Sequence, residues 1–161
     1  MDTESIASIP DVYNHPMAGH LGFLLRRVQL AVFADFQIRT AEFNLTPTEY
    51  SVLEVIQAEP DMQQNRLAEI ISVKPANCVV LINVLEQRGL LDRRSVTPKP
   101  GRGRALALRL TPEGKKLLKK MNKRVQEHLD HLVRLLGGKA HEQLRQQLLA
   151  LFEKAEHGLL G

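Results

Sequence analysis

One cysteine, Cys78, in 161 residues leaves no intramolecular disulfide and no cysteine-rich zinc site, and points to a reducing compartment. No apolar run approaches the roughly 18 residues that a membrane span needs. The opening stretch MDTESIASIPD carries acids where a secretory leader carries bases. The expectation is a cytoplasmic protein, neither exported nor membrane-spanning. Also missing are the short motifs of catalysis: nucleophile elbow, phosphate loop, HExxH, paired cysteines. We therefore expect no enzyme, no metal and no cofactor. What is present is ordinary globular composition, 43% hydrophobic and 25% charged, at a length suited to one domain.

The net charge of +4 is unevenly placed. Residues 1–85 hold 5 Lys/Arg against 10 Asp/Glu, residues 86–124 hold 13 against 3, and residues 125–161 hold 4 against 5. A local charge of +10 inside a folded domain is the footprint of a surface that meets a polyanion, or else a solvated basic face.

Residues 1–16, with Pro10 and Pro16 and no sustained periodicity, read as an N-terminal arm. From about residue 17 to 43, Leu21, Leu24, Leu25, Val28, Val32 and Phe36 recur at helical spacing and predict one amphipathic helix of over twenty residues. Thr46-Pro47-Thr48-Glu49 predicts the next helix start: Thr46 as N-cap, Pro47 in the first turn, Glu49 closing a capping box. A short helix over 64–71 and a second beginning at Pro75 form a helix-turn-helix, the second burying Cys78, Leu81, Ile82 and Leu85 and ending at Gly89. Segments 90–96 and 105–110 predict two strands around a Pro/Gly turn, with Leu106, Leu108 and Leu110 buried. Lys99, Arg102, Arg104 and Arg109 make this hairpin a basic wing. A helix from Thr111 to about Leu136 carries a seam of Leu118, Met121, Val125, Leu129, Leu132 and Leu136, and a last helix over 139–156 carries Leu144, Leu148, Leu151, Phe152 and Ala155. These terminal stripes exceed what one small domain needs. Dimerisation through them about a two-fold axis is the simplest use, with closure onto the chain's own core as the alternative.

In order and spacing, LTPTEYSVLEVI, NRLAEIISVKPANCVVLINVLEQRGLLDRR and GRGRALALRLTPEGKKL resemble the MarR family of dimeric winged-helix transcriptional regulators. The resemblance spans almost the whole chain. It implies a mainly α fold with a small β-wing: a winged helix-turn-helix over about 45–111, dimerisation helices over about 17–43 and 112–158, and residues 17–161 forming one domain. It also implies that the helix from Pro75 enters a major groove of operator DNA while the wing touches the adjacent minor groove.

On this pattern Arg104 matches the family's wing-tip arginine, whereas Arg102 stands where an aspartate usually orients it, which makes the wing more purely electrostatic. Where relatives carry Thr and Arg on the groove-facing helix, this chain has Val79 and Val80, suited to thymine methyls. Polar base contact then falls to Asn77, beside Ala76, and Lys74 with the free N–H groups of the first turn suits a phosphate. The resemblance further implies a small effector, an aromatic acid or its acyl-CoA thioester, that releases the protein from DNA. The run KPANCVVLINVLEQRGL resembles a branch tied to aromatic-acid catabolism. His20, Phe23, Arg26 and Arg27 are the candidate ligand residues, one guanidinium facing inward to pair with an anion. Alternatives are a regulator without a small ligand, redox control through Cys78, and a protein-interaction module that does not bind DNA. Cys78 reads as a packed thiol. His128 and His131, with Glu127 and Asp130, read as structural histidines or half a metal site.

Overall fold

The computed structural model describes residues 14–96 and 105–158. The N-terminal arm through residue 13 and the wing tip 97–104, with Lys99, Arg102 and Arg104, lie outside the described residues.

The first long helix is α1, Leu21–Arg39, shorter than the continuous helix expected over 17–43. Short 3-10 turns flank it at Pro16–Gly19 and Ala41–Phe43. His20 is extended and separates the first turn from α1. At the other end the Thr40 hydroxyl donates to the Phe36 carbonyl at 2.7 Å, and Asn44 adopts a left-handed conformation that reverses the chain. Helix α2, Pro47–Ala58, begins as expected. The Thr46 hydroxyl accepts from the Glu49 N–H at 3.2 Å, and the Thr46 N–H donates to the Glu49 carboxylate at 2.7 Å. Its buried face is Val52, Leu53 and Ile56.

The next elements are β1 (Met62–Gln63), α3 (Gln64–Ile70), α4 (Pro75–Gln87), β2 (Leu91–Val96) and β3 (Ala105–Leu110). The α3–α4 turn passes through Ser72 at a positive φ of 53°. Gly89 at φ 68° ends α4, as predicted. The strand β1 was not expected. It pairs antiparallel with β3, Met62 opposite Leu108, and gives a three-stranded sheet in the order β1-β3-β2. The burial expected along β3 holds for Leu108 and Leu110 but not for Leu106, which is 54% exposed. Leu106 pairs with Ser95 near the turn end of the hairpin, past the reach of the helices, whereas Ala107, on the opposite face, lies opposite Gln63 of β1 and is covered.

Helix α5, Pro112–Leu136, is capped by Thr111, whose hydroxyl accepts from the Gly114 N–H at 3.0 Å and donates to the Gly89 carbonyl at 2.6 Å. Gly137 ends it and α6 runs over Gly138–Gly158. The seam of α5 divides. Leu118, Met121 and Val125 are buried in this chain's own core with His128, while Leu129, Leu135 and Leu136 are exposed. The N-terminal half of α5 thus packs against α1 and α2, and only its far end joins the exposed stripe Leu144, Leu148, Leu151 and Phe152 of α6. On α1, Leu21, Leu24, Leu25 and Val28 are likewise exposed. One core, centred on Leu53, Ile56, Leu67, Ile82, Leu85, Leu91, Leu108 and Met121, holds the helix-turn-helix against the sheet. Each such side chain contributes about 1.5–3 kcal/mol of burial. No single helix among the described residues is long and apolar enough to cross a membrane.

Candidate nucleic-acid interface and adjoining cavity

Helix α4 is anchored by Cys78, Ile82 and Leu85, all fully buried, which leaves Ala76, Asn77, Val80 and Asn83 on its outer face. Val80 is 60% exposed on that face. Asn77 and Val80 share a shallow groove with Thr46 and Thr48 at the start of α2. Lys74 is exposed at the N-cap of α4, where the first-turn N–H groups project toward solvent.

Several cations of the basic stretch are already engaged. Arg88 donates to the Asn44 carbonyl at 2.6 Å and the Phe43 carbonyl at 3.0 Å, tying the end of α4 to the α1–α2 connection. Arg93 on β2 donates to Glu86 and, at 2.6 Å, to the Asn83 side-chain oxygen. Arg94 pairs with Asp92 at 3.1 Å. Arg109, counted with the basic wing, makes a two-pronged pair with Asp61, which has a positive φ of 67°, while remaining half exposed. That guanidinium holds the Asp61 carboxyl below the usual carboxylate range. Lys115, Lys116, Lys119, Lys120 and Lys123 are exposed along α5 with no ion pair among the described residues.

Cys78 is buried on the inner face of α4, its thiol donating to the Gln64 carbonyl at 3.7 Å. Burial pushes the thiol up, away from the thiolate that oxidation requires.

Behind the helix-turn-helix lies a cavity of about 650 Å³. Val32, Phe33 and Phe36 of α1, Tyr50 and Val55 of α2, and Val125, His128 and Leu129 of α5 form its sides, and Ile70, Ile71, Ser72 and Val73 of the α3–α4 turn close it. The Tyr50 hydroxyl donates to Glu54 at 3.2 Å, and burial followed by the Glu54 charge raises its pKa. His20, Phe23, Arg26 and Arg27 do not line this cavity. They precede Gln29, its first lining residue, and both guanidiniums are exposed rather than one facing inward.

His128 is 4% exposed, and its Nδ1 lies 2.6 Å from Oδ2 of Asp35 on α1. The same carboxylate oxygen accepts from Arg39 Nε at 2.8 Å. Arg39 first, then His128, hold the Asp35 carboxyl down at about 2, against the opposing effect of desolvation. Phe36 packs edge-on to the His128 ring, centroids 5.7 Å apart. His128 is therefore a structural histidine of α5 that also faces a cavity. No group of three or more metal-ligating side chains occurs among the described residues.

Residues 43–103 match the model of the MarR family. A protein of Thauera aromatica, assigned as a transcriptional regulator of the hcr operon, is 35% identical over 121 residues, covering 74% of this chain and 70% of that protein. The chain belongs to the MarR family. The transcriptional repressor CouR bound to a 23-mer DNA duplex superposes with a TM-score of 0.76 at 34% identity, over 84% of this chain and 94% of that one. CouR bound to p-coumaroyl-CoA gives 0.75 at 34% identity, over 84% and 93%. The architecture expected from the sequence, a winged helix-turn-helix between flanking helices, is the one observed.

Proposed function

We propose that this MarR-family regulator is a homodimeric repressor of genes for aromatic-acid breakdown, released from a pseudo-palindromic operator by an aromatic acid or its CoA thioester. The observation that carries the effector is the position of the cavity: Ile71, Ser72 and Val73 line it, and Lys74, the N-cap of α4, follows directly. An occupant pressing on that turn shifts α4 relative to α1 and α5. In a dimer joined through α1, α5 and α6, such a shift alters the spacing of the two α4 helices, and a duplex tolerates little change in half-site spacing. A volume of about 650 Å³ falls in the range of roughly 300–1,000 Å³ usual for small-ligand sites. The binding of DNA and of p-coumaroyl-CoA by CouR supports the same assignment.

On the DNA side, Asn77 reads a base edge, Val80 and Ala76 cover thymine methyls or sugars, and Lys74 holds a phosphate. Lys99, Arg102 and Arg104 of the wing track the minor groove. In this reading Arg26 and Arg27, both exposed on α1, together with His20 and Phe23, meet the polar tail of an effector while its ring takes the cavity.

The test is to recover genomic fragments retained by the purified protein, then titrate one against it at several salt concentrations with and without p-coumaroyl-CoA or p-coumarate. The expected results are a dimer by light scattering, a steep loss of affinity with salt, and release by one of the two effectors. A monomer, or a protein that retains no DNA at low ionic strength, overturns the proposal. Unchanged binding after replacing Arg102 and Arg104 by alanine removes the wing from it.

A further inference from the structure

The polar groups of the cavity wall are unequal in what they have left to offer. The Tyr50 hydroxyl is committed to Glu54 and the Ser51 hydroxyl to the Pro47 carbonyl at 2.9 Å. Gln29 and Ser72 are exposed, and Thr48 is half-buried. His128 differs: it is 4% exposed, its Nδ1 is taken by Asp35, and its Nε2 has no hydrogen-bond partner among the described residues. That nitrogen is not sealed off: among the described residues the one enclosed side-chain N or O atom without a partner is Asp92 Oδ1, so His128 Nε2, on a residue that lines the cavity, stays open to a ligand.

Asp35 also determines what that nitrogen can do. Its carboxylate is ionised and already accepts from Arg39, so it can only accept from His128 as well, which places the imidazole hydrogen on Nδ1. In the neutral ring Nε2 then presents a lone pair. The group complementary to a lone pair is an O–H donor. The aromatic and branched side chains around it, Phe33, Phe36, Val125 and Leu129, suit an aromatic ring and offer no competing acceptor.

We propose that His128, held by Asp35, selects effectors whose aromatic ring carries a hydroxyl, by accepting that hydroxyl's hydrogen bond at Nε2. The inference rests on the effector assignment above and names the feature of the ring that the cavity reads. Asp35 and Arg39 are positioning residues. They touch no ligand and act by fixing the orientation and tautomer of the ring.

The experiment compares p-coumaroyl-CoA with cinnamoyl-CoA, which differs only in lacking the ring hydroxyl, by calorimetric titration of the full chain. The wild type is expected to prefer the hydroxylated thioester by about tenfold, the scale of one well-made hydrogen bond. In His128→Phe, which keeps the ring packed on Phe36, the preference falls to near one or reverses. In His128→Gln, whose amide can still accept, part of it returns. Because His128 joins α5 to α1, each variant is also checked by thermal melting and by operator affinity without effector, so that loss of discrimination is measured on folded protein. A preference that survives His128→Phe, or a wild type that binds the two thioesters equally, overturns the role of His128 while leaving the effector class in place. Binding of neither thioester overturns both.

Discussion

Arg93 Nη2 donates to the side-chain oxygen of Asn83 at 2.6 Å, and another N–H of the same guanidinium goes to Glu86, so the first wing strand is braced against the outer face of α4. The two parts of the domain proposed to meet DNA are therefore coupled through one side chain. Arg93→Ala is expected to lower operator affinity severalfold for every sequence tested, because it loosens geometry without removing a base contact. Stability should fall by only about 0.5–1 kcal/mol, the scale of a half-exposed pair. Fluorescence anisotropy on the operator and on scrambled duplexes checks this. A change in base preference would assign Arg93 to the DNA instead.

Asn77 has the opposite profile. It is exposed on α4 with no side-chain partner among the described residues, nearly two turns before Asn83, whose oxygen is engaged. Asn77→Ala should cost about 1–3 kcal/mol on the cognate operator and relax preference at a single position. Selection from a randomised half-site would show that position becoming degenerate. An unaltered sequence profile would move base reading elsewhere on α4.

Gly114 sits in the first turn of α5 against the Leu90 backbone, where an added Cβ would lie 1.9 Å from the Leu90 carbonyl oxygen. Backbone cannot retreat as a side chain can, so Gly114→Ala must displace α5 from the start of β2. We expect destabilisation of more than about 2 kcal/mol and a lower melting temperature. Gly138→Ala, with nothing near its added Cβ and no positive φ, is the control and should melt close to wild type.

Those features that were legible in the sequence share a local cause. The capping box at Thr46, the Pro75 start and Gly89 stop of α4, and the Thr111 cap are each set within a few residues and came out as expected. What was missed is long-range. Asp35 and His128 are 93 residues apart, and nothing in either segment names the other. The Arg109–Asp61 pair depends on β1, a two-residue strand too short to leave a period. Leu106 fits the alternation of its strand perfectly well, yet it lies where the hairpin outruns the helices that would cover it. The seam of α5 was correct in spacing but silent on which half stays within the chain.

Asp35 also yields a prediction in pH. Its carboxyl is held at about 2 in the folded chain, against 3.8 for the free side chain, so the folded state binds its proton less readily than the unfolded state. The stabilisation is therefore complete above about pH 4 and is lost as pH falls toward 2. With part of the side chain reached by solvent, its size is about 1 kcal/mol rather than the full value of the shift. Urea melts of wild type and Asp35→Asn between pH 6 and 2 separate this contribution from that of the other carboxylates. The wild type should be the more stable at pH 6, and the gap should close as the pH approaches 2. A gap of constant width would mean that Asp35 supports the α1–α5 contact by shape rather than by charge.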